Sequence, residues 1–275
     1  MDTLWLAPAL VGYGLAAAGF IADRAAGKRR WTGYAVAMFA LGAVFHAFDL
    51  VARGLQAGNI PVANFAESLS FLAWLIALST LLLIVRLRME IIGAFAAPGV
   101  MIATGAAYQM MSGPRLVLPA PLRSVWLPIH VSLAFLGEAL FVLAAIVSVV
   151  YLVCESRLKS KRPLGAAGHA IPSLEKLDWI TYRLLVWGFV LLSFAMLTGA
   201  IWADATWGRF WSWEPRESLS LLTWVLYAGL LESRLTVGWR GRRAAALTIA
   251  VFTVLVGSFV GVSLVYPGKH GGNFG

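Results

Sequence analysis

The sequence predicts an all-α integral membrane protein with about eight transmembrane helices, and two observations point to this class. Of the 275 residues, 60% are hydrophobic and 13% are charged, whereas soluble chains are about half apolar and about a quarter charged. The apolar residues form runs long enough to cross a bilayer, without the period-two alternation of a barrel strand. The single cysteine excludes an internal disulfide and a CxxC redox pair.

Eight apolar runs account for most of the chain. A helix needs about 20 apolar residues to cross the hydrocarbon core. The predicted spans lie at about 3–22, 31–52, 67–85, 91–110, 125–153, 179–201, 217–237 and 244–266. We expect a single membrane domain over residues 1–275, with the first span retained as a helix because it lacks a basic leader.

Basic residues are distributed unevenly between the two sets of connections. The connections after spans 1, 3, 5 and 7 hold 15 Lys and Arg, and those on the opposite side hold six. Cytoplasmic loops are enriched in such residues. Both termini are therefore predicted on the outer, periplasmic or extracytoplasmic, side. The net charge of +9 indicates topology in the bilayer, and no nucleic-acid partner is expected.

The connection between spans 6 and 7, read as 202–217, is unusually rich in tryptophan. Four of the 12 tryptophans fall within residues 202–213, interleaved with charged residues. One interpretation is an aromatic belt at the membrane interface. The other is a platform for a flat aromatic ligand that carries anionic groups, with rings stacking on its face and arginines binding its carboxylates.

Two of the four histidines are predicted on the same outer side as this connection. His130 lies near the start of span 5, and His270 follows span 8. Two imidazoles beside an aromatic surface are the parts of a bis-histidine haem site, in which both would ligate the iron. The alternatives are a buried hydrogen-bonding histidine at His130 and a solvated tail residue at His270.

Span 2 carries a second polar group within the predicted membrane region. His46, Asp49 and Arg53 share one helix face. They form either an inner wall of a haem cavity or a polar cluster that holds helices together. At the start of span 3, Asn64 and Glu67 are predicted to cap the helix.

Several segments together resemble the cytochrome c assembly family. Residues 207–217, WGRFWSWEPRE, followed by LTW at 222–224, resemble its WWD signature. Residues 64–74, His130-Val131 with Gly137 downstream, and residues 238–244 resemble further motifs of the family. The resemblance covers nearly the whole chain and is nearest to the CcsA/ResC-type branch of System II, with HemX-like relatives close by.

The resemblance implies binding of haem b at the outer face of the cytoplasmic (inner) membrane. The haem would be presented for thioether attachment to CxxCH motifs of apocytochrome c, as part of a haem-lyase complex with a CcsB-type membrane protein. His130 and His270 would be the axial ligands. The aromatic platform and the polar contacts would comprise Trp207, Phe210, Trp211, Trp213, Glu214, Arg209 and Arg216. His46 would join the site if the polar group on span 2 is a wall of the haem cavity.

Two positions depart from the family pattern. Glu214 stands where the signature usually has Asp, and Glu232 stands where the following helix often carries a histidine. Because Glu232 is a poor substitute for an axial imidazole, a second haem site within the membrane is not expected. The alternative functions are a HemX-like regulatory or accessory membrane protein of haem metabolism, and a haem exporter.

Overall fold

The computed structural model describes residues 4–26, 29–111, 124–160 and 172–265, and within these ranges all eight predicted spans are helical. The helices are α1 (Leu6–Ala26), α2 (Thr32–Ala57), α3 (Phe65–Leu87), α4 (Glu90–Met110), α5 (Trp126–Lys159), α6 (Leu174–Trp207), α7 (Pro215–Leu235) and α8 (Arg242–Val265). No described residue belongs to a strand, so the prediction of an all-α chain is confirmed.

The length and composition of the helices suit a membrane. Helices α1 to α6 are each long and apolar enough to cross one. In α7, charged residues stand near both ends, and residues 218–231 between them are uncharged. In α8, residues 244–265 carry no charge. The chain is thus a multi-span α-helical membrane protein.

The connection between α6 and α7 is shorter than the sequence indicated. Helix α6 has 34 residues, roughly 51 Å at 1.5 Å per residue, and it continues through Trp207. It ends at Gly208, which adopts a left-handed φ of 71° and donates its N–H to the Asp204 carbonyl at 2.8 Å. The assignment of Trp202 and Trp207 to a loop was therefore wrong: both lie in the last turns of the helix.

Two apolar clusters hold the helices together, with α4 contributing to both. One joins α1 to α4 around the buried rings of Tyr13, Phe20 and Phe39. The other joins α4 to α8, where Phe141 and Tyr227 stack with ring centroids 3.7 Å apart. Close backbone approach between α1 and α2 supplements these clusters, since small residues let helices pack tightly in a bilayer.

Most described basic residues outside the apolar spans gather at one end of the bundle, here called the basic end. Arg234 binds Asp178 through its two terminal guanidinium nitrogens, at 3.2 and 2.7 Å. The N–H of Gly241 donates to the same carboxylate at 2.9 Å. Lys176 donates to the Leu87 carbonyl at 3.1 Å. The opposite end, here called the tryptophan end, contains the α6–α7 connection.

Candidate functional site: a cavity at the tryptophan end

A cavity of about 220 Å³ lies at the tryptophan end. Helices α5, α6 and α7 form most of its wall, and Val62, Ala63 and Ser68 close it from the start of α3. Four of the predicted site residues line it: His130, Phe210, Trp211 and Arg216.

The start of α3 is fixed by a reciprocal cap. The side chain of Asn64 accepts the Glu67 N–H at 2.9 Å, as predicted, and the Glu67 carboxylate accepts the Ala63 N–H at 2.8 Å. This arrangement satisfies two backbone donors at a helix N-terminus. It holds the 62–63 segment against the buried Trp202, with Trp126 and Trp207 packed alongside.

His130 lies in the second turn of α5, and its side chain makes one hydrogen bond to a described residue. Its Nδ1 lies 2.8 Å from the Ala195 carbonyl on α6, so this nitrogen carries the proton and donates. No described residue hydrogen-bonds to Nε2, which is left with its lone pair. A donating Nδ1 that fixes the tautomer and the ring plane is the usual arrangement for a metal-ligating histidine.

Gly199 on α6 provides the space for the imidazole. A Cβ at this position would lie 2.7 Å from both Cε1 and Nδ1 of His130. Any side chain would therefore displace the ring and its hydrogen bond to Ala195. This requirement could not be predicted from the sequence, because Gly199 lies within an ordinary apolar run.

The indole ring of Trp202 packs against the imidazole of His130. The two rings lie nearly parallel, with centroids 6.3 Å apart and planes inclined by 11°. Trp207 meets Trp202 edge-on at 5.0 Å. Trp202 was counted in the tryptophan-rich segment but was not predicted as a site residue, although it is 5% exposed and lines the cavity.

The 208–214 connection folds over the cavity with an unusual backbone. Trp213 adopts a left-handed φ of 57°, which is uncommon for a bulky residue. Trp211 and Trp213 meet edge-on at 5.8 Å, and the Glu217 carboxylate accepts the Ser212 N–H at 2.8 Å. Strained backbone that the surroundings hold in place is often found at functional sites.

The aromatic residues of this connection differ in exposure. Trp211 lines the cavity, and its indole Nε1 is buried without a hydrogen-bond partner among the described residues. Phe210 also lines the cavity but is 60% exposed, and Trp213 is 72% exposed. The cluster therefore combines a cavity wall with an open aromatic surface.

Charged residues occupy different parts of the site. Arg216, in the first turn of α7, interacts electrostatically with Glu138 of α5, and both line the cavity. Arg209 is exposed, and Glu214 forms the N-cap of α7. Glu138 was not predicted as a site residue, although it lies two turns from His130 along α5 and both line the cavity.

The remaining predicted residues lie elsewhere. His46 is fully buried among α1, α2 and α3, where its ring nitrogens lie 3.2 Å from the Tyr13 hydroxyl and 2.8 Å from the Ser70 hydroxyl. It does not line the cavity. These contacts suit a polar cluster that holds helices together, and a role in the haem wall stays a prediction. His270 lies outside the described residues.

Comparison with known proteins identifies the family. The family model described as Cytochrome C assembly protein matches residues 62–270, which is more than half of the chain. The chain belongs to the cytochrome c assembly family. All described residues of the cavity fall within the matched range.

Curated members of the cytochrome c assembly family resemble the chain over most of its length. The cytochrome c biogenesis protein CcsA of Prochlorococcus marinus subsp. pastoris is 34% identical over 250 residues, covering 82% of this chain and 79% of that protein. The CcsA protein of Synechococcus sp. strain CC9902 is 32% identical over 247 residues, covering 81% of each. The resemblance in the sequence is thereby confirmed, and it supports a role in cytochrome c assembly.

Proposed function

We propose that this protein binds haem b in the cavity at the tryptophan end and presents it for covalent attachment to apocytochrome c. The observation that carries the proposal is the state of His130. The Ala195 carbonyl fixes the proton on Nδ1, and the ring lines the cavity with Nε2 available for iron. Family membership and the CcsA relatives supply the cytochrome c context.

The residues around His130 fit a haem. Trp202 and Trp211 provide apolar aromatic surface on the cavity wall. The guanidinium of Arg216 and the buried indole N–H of Trp211 are donors suited to a propionate. Exposed Arg209 would add positive charge at the rim. When bound, haem supplies the vinyl groups that form thioethers with the two cysteine thiols of a CxxCH motif.

The contribution of this chain is binding and orientation. His130 and His270 would ligate the iron. The aromatic wall would exclude water from the metal, and the exposed rings of Phe210 and Trp213 would offer a surface to the apocytochrome. Holding two reactants in a productive geometry can supply much of the acceleration without any acid or base from the protein.

The topology and the partner complete the proposal. The basic end would face the cytoplasm because cytoplasmic loops are enriched in Lys and Arg. The tryptophan end would then face the periplasm or its equivalent, where apocytochrome c is found. A CcsB-type membrane protein is the proposed partner in a System II haem-lyase complex.

The absorption spectrum of the purified protein tests the proposal. With haem added, the wild type should show a low-spin b-type spectrum. His130→Ala should lose this signature, and added imidazole should restore it by filling the vacated position on the iron. His270→Ala should behave in the same way. Wild-type spectra in both variants would contradict the ligand assignment.

A further inference from the structure

The cavity wall contains a carboxylate oxygen that lacks a hydrogen bond. Glu138 Oε2 is buried, and no donor among the described residues reaches it. Native proteins leave few buried polar atoms unsatisfied, and each one calls for an explanation. Because Glu138 lines the cavity, a ligand in that cavity can supply the missing partner.

The charged and titratable groups around Glu138 come from two helices. From α5, His130 lies two turns away toward the tryptophan end. From α7, Arg216 and Tyr227 interact electrostatically with Glu138, and Glu217 lines the same cavity while accepting the Ser212 N–H. The other helices of the wall contribute only uncharged side chains, including Ser68, Met196 and Ser258.

These surroundings restrict how an anionic ligand can bind. The guanidinium of Arg216 is the one cation among the described lining residues. It already interacts electrostatically with the Glu138 carboxylate. A ligand carboxylate that reaches Arg216 would bring a second negative charge beside the first. Two carboxylates close together in a poorly solvated site do not both stay ionised, so one takes up a proton.

We propose that Glu138 binds a carboxylate of the ligand as the protonated acid, so that ligand binding takes up one proton at this residue. The inference rests on the proposed function, because the carboxylate in question is a haem propionate. The proton comes from hydronium or buffer acid in the bulk solvent, which loses it, and forms an O–H bond on Glu138. That O–H donates to the propionate. The propionate keeps its negative charge, and the guanidinium of Arg216 pairs with it.

Comparing the binding of two porphyrins distinguishes proton uptake by Glu138 from a purely structural role of this residue. Ferric haem carries two propionates, whereas haem dimethyl ester has the same iron and ring without either carboxylate. The affinity of each is measured between pH 6 and 8 for the wild type, Glu138→Gln and a control, Glu232→Gln, which makes the same change at an exposed position at the basic end. Histidine protonation affects both porphyrins equally.

The expected result is a pH dependence specific to haem and to Glu138. Relative to Glu138→Gln, the wild type should gain affinity for haem as the pH falls, by up to about tenfold per pH unit for one proton. The sign follows because the bound state holds one more proton than the free state. For the dimethyl ester, the wild type and Glu138→Gln should show the same pH dependence. Glu232→Gln should match the wild type with both porphyrins.

A direct measurement covers the case in which Glu138→Gln fails to fold. In weak buffer, haem binding to the wild-type protein should take up one more proton than binding of the ester. Equal proton uptake for the two porphyrins would overturn the inference. If that occurs while His130→Ala still abolishes the haem spectrum, the proposed function stands without it. If neither porphyrin binds to the wild type, both proposals fail.

Discussion

Two histidines lie in the part of the chain that the structure describes, and they differ in how many of their ring nitrogens hydrogen-bond to described residues. His46 is engaged on both sides, by the Tyr13 hydroxyl on α1 and the Ser70 hydroxyl on α3. Among the same residues, His130 has a partner on one ring nitrogen only, the Ala195 carbonyl, and it faces a cavity. An imidazole can ligate a metal only through a free lone pair, so the second environment suits a ligand and the first suits a structural role.

The polar groups near the two histidines differ in the same way as the histidines themselves. Next to His46, Asp49 and Arg53 form an ion pair at 2.6 Å whose side chains are 3% and 6% exposed. A buried pair of this kind is costly to disrupt, because removing one partner leaves an uncompensated charge. Around His130 the wall instead carries buried polar atoms, on Trp211 and Glu138, that have no hydrogen-bond partner among the described residues. Satisfied polar groups indicate a scaffold, and unsatisfied ones indicate a binding site.

The largest expected effect that separates the two regions is on stability. His46→Ala would leave the Tyr13 and Ser70 hydroxyls buried without their partner. Each lost partner costs about 1–3 kcal/mol. The variant should unfold at a clearly lower temperature in detergent, while the protein that remains folded should keep its haem. The measurement is thermal unfolding together with haem per folded protein.

His130→Ala should show the opposite pattern, with little loss of stability and most of the haem lost. If the folded fraction of His46→Ala lost haem as completely as His130→Ala, then His46 would belong to the haem site. The prediction that it lines the haem cavity would then be favoured over the helix-holding alternative.

The next prediction sharpens the His130 side of the comparison without removing the imidazole. Gly199→Ala places a methyl group 2.7 Å from two ring atoms of His130, so the ring must move and its bond to Ala195 must break. Loss of a group that orients a metal ligand typically lowers affinity by about 10–100-fold. Haem titration of the purified protein measures this.

Gly229→Ala is the matched control for Gly199→Ala, because a Cβ there meets no heavy atom within 4 Å. It should keep wild-type affinity. Equal affinity in both variants would show that the imidazole orientation observed here does not determine haem binding.

The sequence allowed prediction of the fold and of part of the site. Long apolar runs establish helices because the bilayer demands them, and His130, Trp211 and Arg216 could be chosen from motif and residue type. Trp202 and Gly199 could not, because their roles depend on which α6 residues face α5. The two nitrogens of His46 could not be assigned either, since Tyr13 and Ser70 lie 33 and 24 residues away in sequence.

The aromatic residues at the tryptophan end allow a smaller effect on haem occupancy to be tested. Trp211 lines the cavity, whereas Trp5 is 40% exposed and stacks on Phe45 outside it. Trp211→Ala should lower haem occupancy several-fold, because an aromatic contact contributes about 0.5–1.5 kcal/mol beyond its buried area. Trp5→Ala should leave occupancy unchanged. Protein yield and haem per protein, measured together, distinguish a ligand wall from an interfacial belt.

Should Trp211→Ala instead reduce yield while the surviving protein keeps full haem, the tryptophan cluster would be structural. The interfacial belt would then explain both tryptophans, and the distinction between cavity wall and outer surface would not hold for the aromatic residues.

The smallest expected effect concerns Glu214, where the family signature usually has Asp. Glu214 is the N-cap of α7, but its side chain makes no capping hydrogen bond, whereas Asn64 caps α3 at the same end of the bundle. Asp is among the best N-cap residues because its shorter side chain reaches the N–H groups of the first turn, and a good cap contributes about 0.5–2 kcal/mol. Glu214→Asp should therefore raise the unfolding temperature slightly. It should preserve haem occupancy, since the charge is kept and the turn that carries Arg216 is held more firmly. A loss of haem in this variant would mean that the longer side chain of Glu214 itself contacts the ligand.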